Sequence, residues 1–318
     1  MAAPVRIGVI FPGQGSQVVG MGVDVAAASN AAADLFTRAE RVVGYDLLEL
    51  CRQGPEDRLR ETRYSQPAIF VTNYALAVAA NLSVAVSAGH SFGEYCSLVL
   101  ANSLEFEEAL ELVNARGIAM QRAAEMAAGS MSAIIGLDAA KIETAVAQAR
   151  AEGAGRVSLA NYNAPAQIVI SGDVSAVRRA GELCVEAGAK RVIPLNVSGA
   201  WHSELMQPAV PLFAPAVERA HVAVPSFIVV SNVDAQPYRD VAHIKENLVR
   251  SVTDEVLWHA TSLRLLSDGK PDLVIEFGAS SVLASMLKRL PNAPEVMSVA
   301  DFSGVQRLHA KLGAAATT

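Results

Sequence analysis

The apolar residues of this chain fall into runs of two kinds. Short, nearly unbroken runs rich in β-branched residues read as buried strands: Val5–Phe11, the stretch around Val84 and Val86, Met131–Leu137, Val157–Asn161, Gln167–Ser171, Arg191–Val197, Phe227–Asn232 and Leu273–Phe277. Longer segments carry apolar residues at helical spacing. These are Asp24–Val43, Leu47–Arg52, a helix from Pro67 to about Ala80, Leu104–Met126, Lys141–Ala151, Val174–Ala187, His243–Val252, a helix ending at Leu266, and Ser281–Leu290. Thr62–Pro67 reads as a loop, with Pro67 in the first turn of the helix after it. Ser103 is placed to cap the helix that follows, which has Glu105, Glu107 and Glu108 in its first turn. The tail Gly313–Thr318 is expected to fray.

Strands alternating with helices place the chain in the α/β class. Residues 129–198 follow the order βαββαβ, the ferredoxin-like pattern. We read them as a small subdomain inserted into a larger α/β domain made of residues 1–128 and 199–318. Composition agrees with a sizeable core, since 52% of the 318 residues are hydrophobic and only 18% are charged. A net charge of −6 argues against nucleic acid as a partner. Cys51, Cys96 and Cys184 are far apart and form no metal-binding pair, so free thiols in a reducing cytoplasm are expected, without a zinc site. Tyr64–Gly93 holds no charged residue, but Asn73, Asn81, Ser83 and Ser87 interrupt it and its pattern changes at Asn81. A buried helix followed by a buried strand fits that stretch better than a membrane span. The apolar run after Arg6 ends at Pro12, too soon for a signal peptide.

The chemistry is concentrated at Ser83–Leu100. A β-branched run enters Gly89-His90-Ser91-Phe92-Gly93, and a helix-compatible run leaves it. A bare G-x-S-x-G arises by chance in roughly one chain in ten of this length. Strand before and helix after make it a nucleophile elbow, with Ser91 held at a helix N-terminus. A serine nucleophile needs a base. His90 points away from Ser91 in such a turn, and His221, His243, His259 and His309 sit on helix-like segments. His202 instead lies in a loop after the small subdomain's last strand, with no Asp or Glu in evident partnership, so a backbone carbonyl could orient it. The glycine-rich loop Pro12–Gln17 has neither the Lys-Ser/Thr of a P-loop nor the third glycine of a dinucleotide fingerprint. Its alternative use is to present the Gln14 amide as an oxyanion donor. Arg116, read alone, is a surface cation paired with Glu111 or a neighbour.

Taken together, these residues resemble the malonyl-CoA:acyl carrier protein transacylases, including the free-standing acyltransferases of polyketide synthases. The resemblance rests on Phe11-Pro12-Gly13-Gln14-Gly15-Ser16-Gln17, Gly89-His90-Ser91-Phe92-Gly93-Glu94, Arg116-Gly117, Ala160-Asn161-Tyr162-Asn163-Ala164-Pro165 and Val197-Ser198-Gly199-Ala200-Trp201-His202-Ser203. These occur in the family's order and cover nearly the whole chain. The resemblance implies an α/β-hydrolase-like large domain with a ferredoxin-like insertion. It implies that Ser91 carries the acyl group and His202 is its base. Gln14 and the Phe92 N–H would form the oxyanion hole, and Arg116 would grip a malonyl carboxylate. Gln66 and Asn163 would line the acyl or thioester site. The bulk of Trp201 would disfavour an α-methyl group. Ser251 stands where the family has a Gln whose carbonyl orients the histidine, and Phe92 stands where a smaller aliphatic is common and could trim the pocket. Asp254-Glu255 and Gly278-Ala279 replace proline-containing turns.

The expected activity is ping-pong transfer of a malonyl group, or a substituted malonyl group, from CoA to a holo acyl carrier protein in fatty-acid or polyketide synthesis. No bound metal or redox cofactor is implied, since the CoA thioester is a substrate. A cytoplasmic monomer is expected. Two other readings are an acyl hydrolase of the same fold that clears carrier proteins, and a non-catalytic carrier-protein docking subunit.

Overall fold

The computed structural model describes residues 5–315. Two sheets organise it. The first is parallel throughout, with β1 (Ile7–Phe11) at its centre, β2 (Val86–Gly89) and then β7 (Ile228–Val230) on one side, and β8 (Leu273–Phe277) and then β9 (Glu295–Val299) on the other. Strands β1, β2 and β8 are buried along their whole length, which explains why they read as unbroken apolar runs. The second sheet is antiparallel, in the order β4 (Val157–Ala164), β5 (Gln167–Asp173), β3 (Gly129–Ile135), β6 (Arg191–Pro194). Helices Ala139–Ala151 and Val174–Glu186 cover one of its faces and close a separate core with Ile134, Val157, Ile168 and Ile170. The alternate residues Met131, Ala133 and Val169 belong instead to the main core. The small sheet therefore packs its second face on the large unit.

Several boundaries differ from the sequence expectation. The helix expected from Pro67 begins at Thr62 and runs to Ala80. Pro67 is the sixth residue of this helix, past its first turn, where it removes the N–H that would bond the Arg63 carbonyl. Ser103 does not cap the next helix; its hydroxyl donates to the Ala223 carbonyl, and the helix is Phe106–Met126 with Glu105 at its cap. Asp24–Val43 is two helices, Val23–Ala28 and Asn30–Val43, broken at Ser29, whose side chain caps the second. β9 and the helix Phe302–Ala315 add to the elements expected from the pattern. The fraying expected for 313–318 is contradicted as far as Ala315, which is helical, and from 316 on it lies outside the described residues. The three cysteines are free and buried.

Candidate active site

At the end of β2 the chain reverses into a 3₁₀ turn over Ser91–Gly93 and then the helix Glu94–Leu100. Ser91 has φ 53°, a left-handed conformation that an L-residue adopts at a cost of about 1–2 kcal/mol. The two flanking glycines are demanded by space. A Cβ on Gly89 would stand 2.0 Å from the Gly93 carbonyl carbon, and one on Gly93 would stand 2.4 Å from the Phe11 oxygen. The turn is braced from below. Asn232 Nδ2 donates to the Ser91 carbonyl at 3.2 Å and to Glu94 Oε2 at 2.9 Å, and the Asn232 backbone N–H donates to Glu94 Oε1 at 3.2 Å. Burial pushes the Glu94 carboxyl up to about 8. Sequence reasoning misses both supports. Glu94 stands in the elbow motif without a role being read for it, and the signal for Asn232 is the polar pair Ser231-Asn232 closing an otherwise apolar strand.

His202 also has a positive φ, 57°, in a turn where the Ser203 hydroxyl donates to the Ala200 carbonyl at 2.7 Å. Its Nε2 lies 2.9 Å from Ser91 Oγ and its Nδ1 3.0 Å from the Asp254 carbonyl. A carbonyl only accepts, so Nδ1 carries the proton and bare Nε2 faces the serine hydroxyl. Burial, then the charge of Arg116 and the neighbouring His90, push the imidazole down to about 3, so it is neutral at physiological pH. The orienting bond thus goes to Asp254, not to Ser251 as expected. Ser251 closes the helix Val241–Arg250, so its carbonyl stands one turn earlier and accepts from Arg116 Nη2 at 3.2 Å, while still exerting a weaker pull on the imidazole. The loop carrying both carbonyls is tied to β4, where Tyr162 N donates to Val256 O and Val256 N to Ala160 O, each at 2.8 Å.

Arg116, in the middle of the helix Phe106–Met126, is fully buried. Its Nη2 donates to Ser91 Oγ at 3.2 Å and to the Ser251 carbonyl. Its Nε and Nη1 have no partner, and it has no ion pair among the described residues. The surface pairing with Glu111 read from sequence alone is therefore overturned. Burial lowers its pKa to about 10, so it remains a cation. A desolvated guanidinium with two idle nitrogens, three N–H donors in all, is a site for an anion.

Ser91, His202 and Arg116 line a small cavity of about 80 Å³ with Gln14, Gln66 and Trp201. Gln66 leaves its Oε1 unpaired, and Trp201 its Nε1. Gln14 Nε2 donates to Thr62 Oγ1 at 3.1 Å. Asn163 is not in this cavity; it accepts from His90 Nε2 at 3.0 Å and lines a larger outer cleft of about 470 Å³. Gln14, His90, Asn161, Leu195 and Val197 form the wall common to both spaces. The Phe92 ring packs in the main core and does not trim the cavity, as a side chain there was expected to. Left-handed Ser91 turns its own side chain to the cavity and sends the next one inward.

The acyl transferase domain family model matches residues 9–313. The malonyl CoA-acyl carrier protein transacylase of Haemophilus influenzae is 40% identical over 301 residues, covering 93% of this chain and 96% of that protein. The chain belongs to the malonyl-CoA:acyl carrier protein transacylase family. An acyl carrier protein S-malonyltransferase from Vibrio cholerae superposes with a TM-score of 0.89 at 38% identity, covering 95% of this chain and 99% of that one. A malonyl-transacylase solved in complex with its type II polyketide acyl carrier protein superposes equally well, at 37% identity with 95% and 98% covered. Transacylases of this family thus share the mixed α/β architecture with one parallel and one antiparallel sheet.

Proposed function

We propose that the protein moves a malonyl group from CoA to the phosphopantetheine thiol of an acyl carrier protein, in fatty-acid or polyketide synthesis, through an ester on Ser91. The observation that carries this reading is Arg116, a buried cation lining the acyl pocket with its Nε and Nη1 unused. A hydrolase of simple acyl groups gains nothing from such a cation, which is costly to bury unpaired.

The roles follow from the geometry. Arg116 takes the free carboxylate, and the thioester carbonyl lies over Ser91. His202 Nε2 accepts the serine proton as Oγ attacks. The Gln14 amide and the Phe92 N–H stabilise the oxyanion. The C–S bond breaks, and the departing thiolate takes the proton from His202. The carrier thiol then enters and the steps reverse. The small cavity has room for a group of few heavy atoms, with Gln66 and Trp201 as walls against an α-substituent. The outer cleft, with Asn163, admits the pantetheine arm. The catalytic steps need no metal or redox cofactor.

The large unit reads as α/β-hydrolase-like because the nucleophile turn links a central parallel strand to a helix. The small unit reads as ferredoxin-like because its strands run in the order β6-β3-β5-β4 with both helices on one face. The separate core under the two helices of the small sheet, which runs from Ile134 to Cys184, supports an inserted unit at 129–198 whose other face joins the main core. No helix among the described residues is long and apolar enough to cross a membrane. We retain a cytoplasmic monomer, which light scattering at the mass of one chain would support.

Arg116→Ala tests the reading. Loading from malonyl-CoA is expected to fall by about 10²–10³, the scale of losing a buried charged partner. Unchanged malonyl loading in that variant would remove Arg116 from the site.

A further inference from the structure

The Ser91 hydroxyl is held from two sides. His202 Nε2, which takes its proton in the reaction, lies 2.9 Å from Oγ, and Arg116 Nη2 donates to the same oxygen at 3.2 Å. The two contacts oppose each other. A cationic donor on Oγ occupies a lone pair of the attacking atom and lowers its nucleophilicity. We infer that Arg116 is a brake on Ser91 in the free enzyme, released by the carboxylate of the incoming acyl group. The inference rests on the reading of Arg116 as the carboxylate partner.

The hydrogen-bond inventory forces the exchange. A guanidinium offers a carboxylate two paired edges, Nε with Nη2 and Nη1 with Nη2. Both include Nη2. Its two hydrogens are already used, one on Ser91 Oγ and one on the Ser251 carbonyl, while Nε and Nη1 are idle. Any two-point grip on Arg116 therefore displaces one of these acceptors. The Ser251 carbonyl is main chain in a buried residue, fixed at a helix end, and losing its donor is costly. Ser91 Oγ lines the cavity that the acyl group enters, and it keeps His202 as a partner. The Ser91 contact is the one that yields.

The base responds in the same direction. The Arg116 charge is one of the causes, after burial, that hold the His202 imidazole at about 3. A carboxylate on Arg116 offsets that charge and makes His202 a better acceptor for the serine proton. The acyl group's own carboxylate thus favours attack as well as binding. Selectivity then appears in the chemical step, where uniform binding would leave it absent. A thioester without a carboxylate meets a serine still capped by Arg116.

Acetyl-CoA and formate together supply the two halves of a malonyl group and provide the test. The rate of acetyl loading on Ser91 is read by intact mass in single-turnover mixing, with formate or with chloride at equal ionic strength. Formate is expected to raise the wild-type rate saturably, by about tenfold, the scale of one charge-assisted hydrogen bond. Chloride is expected to leave it unchanged. Arg116→Ala is expected to load acetyl faster than wild type without formate and to be indifferent to formate. A wild-type rate unmoved by formate overturns the brake, as does equal acceleration in Arg116→Ala. The formate arm uses unaltered protein, so the outcome does not hang on the variant's folding. Malonyl-CoA run alongside separates the two levels. Malonyl loading without a formate response removes the brake and leaves Arg116 as the carboxylate partner. No malonyl loading removes that reading, and the brake with it.

Discussion

Two side chains do the proposed chemistry from strained backbone, and both depend on main-chain oxygens. Ser91 and His202 each have a positive φ, and the imidazole is oriented by the Asp254 carbonyl. This sets what a sequence shows. Gly-His-Ser-Phe-Gly announces the nucleophile, and His202 is found by eliminating histidines on helices. A carbonyl acceptor has no residue signature, so the motif points to Ser251 and passes over Asp254. Arg116 is legible only through the family motif, because burial of one arginine within a long amphipathic helix leaves no mark on its spacing. The low pKa of His202 has a kinetic consequence. kcat/KM for malonyl-CoA reports the free enzyme, so it should stay flat from about pH 8 down to 5.5, with no acid limb near the ordinary histidine value. A limb at about 6.5 in a pH–rate series would show that burial and Arg116 do not act on His202 as described. Asn232→Ala removes the donors that brace the Ser91 carbonyl and Glu94. It should lower kcat by about tenfold with little change in KM, since it loosens the nucleophile's support without touching the cavity. Steady-state kinetics showing a change in KM alone would count against this positioning role.

At the scale of elements, the elbow is a matter of clearances. Gly93→Ala puts a methyl 2.4 Å from the Phe11 carbonyl oxygen, at the seam between β1 and the turn. Neither backbone segment can retreat, so a loss of about 3 kcal/mol or more is expected, with loss of acyl loading. Gly15, unlike Gly93, has a positive φ, but a methyl there would meet nothing within 4 Å, and Gly15→Ala should cost only about 1 kcal/mol. Urea denaturation of the two variants compares them, and similar midpoints would refute the clearance account. Long buried runs are legible because a strand covered on both faces needs apolar residues at every position. The sequence misleads where tertiary pairing outweighs local pattern. β9 (EVMSV) is an edge strand that exists through its pairing with β8. The last helix carries Gly304 and Gly313, which weaken its signal. The helix start at Thr62 is hidden by Pro67, which marks a boundary in sequence yet stands in the second turn of this buried helix, where surrounding packing holds it.

At the scale of the molecule, the site lies where the two sheets meet. β4 pairs with Val256 beside the loop that orients His202, and Asn163 on the same strand holds His90 of the elbow. The subdomain order is visible in sequence, but not these cross-links, which join residues far apart through one or two hydrogen bonds each. Burying polar groups at this junction shapes global stability. Burial raises the Glu94 carboxyl to about 8 and Glu276 to about 7, against an ordinary 4.5 when unfolded. Between those limits the folded chain holds on these two groups protons that the unfolded chain has released, so their contribution to stability falls as pH rises from about 4.5 towards 8. Carboxylates lowered by partners, such as Asp173 beside Arg156 and Glu107 beside Arg38, gain or lose their contribution below about pH 4.5, outside that window. Below about pH 6.5 the imidazoles of His202, His90 and His259, all lowered by burial, act in the opposite sense, so denaturant midpoints should decline from about pH 7 to 8.5, and a rise across that range would contradict the two buried acids.

The most direct measurement is intact-protein mass after mixing the enzyme with malonyl-CoA and then with a holo acyl carrier protein. A malonyl increment on the wild type, absent in Ser91→Ala, that moves to the carrier on its addition is the predicted result. No increment on the wild type, or an increment lost as free malonate while the carrier stays unloaded, would contradict the account.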